Sequence, residues 1–64
     1  MITSRERTVV QLIAEGHTNK EVARIHNISL KTVETHRATI MRKLQVTSSA
    51  DLVRYAIRNK IIEA

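Results

Sequence analysis

Hydrophobic residues fall along this chain in four bursts, each at helical spacing and each preceded by a residue suited to capping a helix. Val9, Val10, Leu12 and Ile13 share one face at about 100° per residue. Val22, Ala23 and Ile25 form a second inward set, and Ile28 plugs the turn that follows. Val33, Ile40 and Leu44 stack along a third stretch with Leu30 and Met41 flanking them, and Leu52, Val53, Ala56 and Ile57 make a fourth face. Ile61 and Ile62 are expected to fold back and close the edge of the core. The polar punctuation agrees with this pattern. Thr3-Ser4-Arg5-Glu6 and Thr18-Asn19-Lys20-Glu21 have the capping-box spacing, Ser48-Ser49-Ala50-Asp51 is a shorter-armed version, and Ser29 is a simple N-cap. Gly16 suits the left-handed position after the first helix, and His26-Asn27 suits the turn after the second. The spacing predicts helices at about 4–15, 19–26, 30–44 and 49–58, and hence one all-α, four-helix domain over residues 1–64.

Composition narrows the picture. Sixty-four residues allow one modest core. The chain has no Cys, Phe or Trp and a single Tyr, so the core is aliphatic and no disulfide or thiolate zinc site supports it. His17, His26 and His36 are spread without paired metal-ligand spacing, so no metal or other cofactor is expected. No nucleophile–base set and no Gly-rich phosphate loop can be assembled, which argues against an enzyme. No apolar run approaches the roughly 20 residues of a membrane span, aromatic anchors for an interfacial helix are missing, and the N-terminus lacks a signal-peptide pattern. A cytoplasmic location is therefore expected.

Charge then points to a partner. The formal net charge is +5, and all of it is contained between Lys31 and Lys60, where seven basic residues face Glu34 and Asp51. Such an excess favours nucleic acid. In the third helix Lys31, Glu34, Thr35, Ala38 and Arg42 recur at i, i+3, i+4, i+7 and i+11, opposite the apolar stripe. The small residues in the middle let the helix approach base edges. Lys31 and Arg42 suit guanine or phosphate, Glu34 a cytosine amino group, and Thr35 a base edge or a thymine methyl. A plain solvated face, with Lys31 and Glu34 as an i, i+3 pair, is the simpler alternative. The short second helix and its tight turn tip the balance, because together with the third they form a helix-turn-helix. In the first turn of the third helix Ser29 and Thr32 suit a phosphate. Arg37 falls near the apolar side, so it either reaches the phosphates or pairs with Glu6.

These residues resemble a known family. Thr3-x-Arg5-Glu6, Leu12-Ile13-Ala14-x-Gly16, Asn19-Lys20-Glu21-Val22-Ala23, Ser29-x-Lys31-Thr32-Val33-x-x-His36 leading to Lys43-Leu44, and Asp51-Leu52-Val53-Arg54-Tyr55-Ala56 are together similar to the LuxR/FixJ/NarL-type (GerE-like) helix-turn-helix domain of bacterial transcription regulators. The similarity runs from Ile2 to about Ile62. It implies a third helix in the major groove of double-stranded DNA, with Glu34, Thr35 and Ala38 facing base edges. It also implies phosphate contacts from Asn19 and Lys20, to which their neighbour Thr18 and the helix-end Lys43 are added. Ala38 offers no hydrogen bond to a base. The fourth helix is implied as a homodimer contact through Leu52, Tyr55 and Ala56. Such domains usually follow a regulatory domain, often a phosphorylated receiver, in a two-component response regulator that acts on RNA polymerase. The effector domain of a quorum-sensing regulator is one alternative. A helical protein-interaction module, docking its basic helix on an acidic protein surface, is another.

Overall fold

The computed structural model describes residues 2–63, and its helices are α1 (Ser4–Ala14), α2 (Asn19–His26), α3 (Leu30–Leu44) and α4 (Ser49–Arg58). The first helix stops one residue short of the expected span and the other three match it. Each begins where a side chain accepts an orphan backbone N–H. Thr3 Oγ1 accepts from Glu6 N–H at 3.1 Å, while Glu6 Oε1 accepts from Thr3 N–H at 2.8 Å. Thr18 and Glu21 repeat this reciprocal pair at the same two distances. Ser29 and Ser48 cap α3 and α4 in one direction only. Asp51 is too short to reach back, and its carboxylate pairs with Arg54 at 2.8 Å instead.

The helix ends share a second device. Gly16, Asn27, Gln45 and Lys60 all have positive φ, at 100°, 55°, 56° and 59°. In each case the next residue donates its N–H back five positions: His17 to Leu12, Ile28 to Ala23, Val46 to Met41, and Ile61 to Ala56. This is the Schellman arrangement, and it satisfies carbonyls that the helix would otherwise orphan. Ile28, Val46 and Ile61 then lay their side chains against the core, as does Ile62.

Helix α1 packs against all three of the others, and α2 packs on α3 across the turn formed by residues 27–29. Val9, Val10, Ile13, Val22, Ala23, Val33, Ile40, Leu52 and Ala56 make one continuous aliphatic core. Ile25 does not join it and is 52% exposed. Over only eight residues one narrow stripe can face inward. His26, one turn after Val22, takes the covered place, with its Nε2 shut off from solvent. Among the described residues no helix is long and apolar enough to cross a membrane.

Two members of the left-handed series, Gly16 and Gln45, should respond oppositely to substitution. No atom crowds the Cβ position of Gly16, so Gly16→Ala should cost only its backbone conformation, about 1–2 kcal/mol. Gln45→Gly relieves a side chain held at φ 56° and should gain about 0.5 kcal/mol after the added flexibility of the unfolded chain is counted. Urea denaturation of the two variants measures both, and a loss of stability in Gln45→Gly would refute this account of the α3 end.

Candidate nucleic-acid interface

Burial of Val33 and Ile40, both 0% exposed, sets the rotation of α3 about its own axis. The opposite side of the helix is thereby turned outward, and Lys31, Glu34, Thr35, Ala38 and Arg42 are all exposed. Lys31 and Glu34 do not pair. Among the described residues the ion pairs are Lys43–Glu6 and Arg54–Asp51, and His17 Nδ1 lies 3.7 Å from Glu21 Oε1. Lys31, Arg42 and the exposed Lys20 of α2 thus keep their charge available. Leu30, 37% exposed, adds an apolar edge at the start of the same helix.

Beside this face lies a row of hydroxyls. Thr18 is exposed; its oxygen accepts Glu21 N–H and its hydroxyl faces the Glu21 carboxylate. Ser29 Oγ accepts Thr32 N–H at 3.1 Å and lies 2.8 Å from Thr32 Oγ1, so one hydroxyl proton is shared between the two and one remains free. Phosphate oxygens are pure acceptors, and that free proton suits them.

Two expected phosphate ligands are otherwise engaged. Lys43 Nζ lies 3.0 Å from both carboxylate oxygens of Glu6, tying the end of α3 to the start of α1. The phosphate contact expected of Lys43 thus competes with an internal ion pair. Glu6 lies on the inward face of α1, one turn before Val9 and Val10, and is 7% exposed. A carboxylate so enclosed requires a cation. Arg37, expected either on phosphate or on Glu6, does not pair with Glu6. Its Nη1 donates to Asn19 Oδ1 at 3.2 Å and its Nη2 donates to Ser49 Oγ. The inward position of Glu6 was a sequence signal that a cation must meet it. The choice between Arg37 and Lys43 depended on how α3 crosses α1, which spacing does not reveal.

The dimer surface also changes. Leu52 and Ala56 are 0% exposed and belong to the core of this chain, so they cannot meet a partner. Tyr55 is half-buried and lines an open groove of about 390 Å³ with Ile2, Thr3, Ser4, Arg7, Asn59 and Ile61. That groove involves no residue of α2 or α3. The outward strip of α4 consists of Ala50, Arg54 and Ile57, with Val53 half-buried at its edge.

A short capped helix, a three-residue turn and a longer helix with one face in the core and one polar face in solvent define a helix-turn-helix DNA-binding domain of the transcription-regulator class. The family described as "Bacterial regulatory proteins, luxR family" matches residues 1–56, and the chain belongs to that family. It is 53% identical over 57 residues to the uncharacterised response regulatory protein YgeK of Escherichia coli (strain K12), covering 89% of this chain and 39% of that protein. It is 41% identical over 63 residues to the oxygen regulatory protein NreC of Staphylococcus carnosus (strain TM300), covering 98% of this chain and 29% of the relative. NreC of Staphylococcus aureus (strain JH9) is 43% identical over the same length. The chain thus spans less than two fifths of the length of these curated relatives.

The Glu6 geometry has a pH consequence. The Thr3 backbone N–H, followed by the Lys43 ammonium, holds the Glu6 carboxyl below its usual 4.5. The folded state therefore releases this proton more readily than the unfolded chain does. The resulting stability is complete above pH 4.5 and is lost as pH falls through the folded-state value. Glu21, lowered chiefly by the Thr18 backbone N–H, acts in the same direction. Urea melts from pH 6 down to about pH 3 should show a shallower acid-side fall in Glu6→Gln than in the parent. Identical slopes would mean that Glu6 has the same proton affinity folded and unfolded.

Proposed function

We propose that this domain binds double-stranded DNA sequence-specifically, with α3 lying in the major groove. In this reading Lys31, Glu34, Thr35, Ala38 and Arg42 face base edges. Thr18, Asn19, Lys20, Ser29 and Thr32 line the adjoining phosphates. The observation that carries the proposal is the exposure of the whole polar face of α3, its charges unpaired, while Val33 and Ile40 on the opposite side are completely enclosed. A protein-docking module would accept the same basic helix. It gives no reason for the hydroxyl proton left free in the Ser29–Thr32 pair at the start of that helix.

The rest of the assembly follows as expectation. Two copies would join through the outward strip of α4, Ala50, Val53, Arg54 and Ile57, and place their α3 helices in successive major grooves about 10 base pairs apart. Similarity to a response regulatory protein supports a role as the effector domain of a two-component regulator, behind a receiver domain and acting on RNA polymerase in the cytoplasm.

Selection from random duplexes, followed by binding titrations on the recovered site, tests this reading. With Lys43 held by Glu6, the free cations near the DNA are Lys20, Lys31 and Arg42. About three phosphates neutralised per protomer predict a log K against log[salt] slope near −2.7 per protomer. Lys31→Ala and Arg42→Ala should each cost about 1–3 kcal/mol on the selected site, with relaxed preference at one base pair if the contact is to a base. No enrichment of any sequence, or binding that ignores both substitutions, would overturn the proposal.

A further inference from the structure

Arg37 is the one side chain among the described residues that hydrogen-bonds to two other helices at once. From α3 it reaches the first residue of α2 through Asn19 and the first residue of α4 through Ser49. No described carboxylate lies within ion-pair distance of it. Its chemistry fixes more than position. A guanidinium only donates, so it can engage only the oxygen end of the Asn19 amide. With Oδ1 held at 3.2 Å, the Nδ2 end, which only donates, is left as the free end of Asn19. Asn19 lies between the exposed Thr18 and Lys20, in the row already described.

We infer that Arg37 is a positioning residue for DNA binding: it orients the Asn19 amide so that its donor end meets a phosphodiester, and it locks that end of α2 to α3 and α4. The inference rests on the DNA-binding reading above. The relay has a fixed polarity, from donor-only guanidinium to amide oxygen and from amide nitrogen to acceptor-only phosphate. Reversing the amide would break both contacts. The link to Ser49 means that the helix carrying the proposed dimer strip is tied to the same phosphate contact.

The test is a double-mutant cycle on a duplex that the parent domain binds, with thermal melts of every variant. Asn19→Ala and Arg37→Met should each weaken binding about tenfold, and the double variant should be little worse than either alone. Arg37→Lys keeps the charge but not the fork and should recover only part of the loss. Asn19→Asp guards against loss of folding. It gives Arg37 a charged acceptor at a helix N-terminus, so the melt should not fall, yet DNA binding should drop at least as much as in Asn19→Ala.

Additive losses, with the salt slope reduced by about 0.9 in Arg37→Met, would make Arg37 an independent phosphate ligand and overturn the inference. Unchanged binding in a folded Arg37→Met or in Asn19→Asp would overturn it as well. A parent domain that binds no duplex would instead remove the DNA reading on which the inference stands.

Discussion

The structure depends on the rotational setting of α3. Val33 and Ile40 are fully enclosed by the rest of the domain, and each is worth roughly 1.5–3 kcal/mol relative to exposure. Turning α3 by a quarter of its circumference would bring both toward water. The cost would approach the whole stability of a domain this small, which is a few kcal/mol. No other rotation is affordable, so the polar face is held outward by the core and not by any preference of its own. The same burial keeps α2 across α3, because Val22 and Ala23 share that interior.

Side-chain bonds then refine what burial fixes. Two of the four Lys and Arg residues of α3 are engaged inside the domain: Lys43 with Glu6, and Arg37 with Asn19 and Ser49. Lys31 and Arg42 are left free. The helix thus divides its cations between those that fasten the domain and those left free in solvent. This division explains why net charge alone overstates the number of phosphates the domain can neutralise. It also accounts for the enclosed Glu6, whose proton affinity is lowered by a cap at one end of α1 and an ammonium from the far end of α3.

Much of this was legible in the sequence because the signals are local. Capping boxes at Thr3 and Thr18 and the stripe through Val33, Ile40 and Leu44 marked the helices, and Gly16 and Asn27 marked two of their ends. The exposed polar face of α3 followed from helical period alone. The misread positions were those decided by other helices. Ile25 fits an inward face until His26 takes the covered place. Leu52 and Ala56 resemble a dimer strip until α1 covers them completely. Gln45 and Lys60 carry no compositional sign of the left-handed backbone they adopt. The partner of Glu6 could be required from sequence, but which of two cations supplied it depended on the crossing of α1 and α3.

The central claim, that the outward face of α3 meets DNA, is tested most directly by chemical-shift mapping of the isotope-labelled domain with a short duplex at low ionic strength. The account predicts that perturbations concentrate at Lys31, Glu34, Thr35, Ala38 and Arg42 and at the start of α2, with Val9 and Leu52 in the core unmoved. Perturbations confined to the α1–α4 groove around Tyr55 and Asn59, with α3 silent, would contradict it.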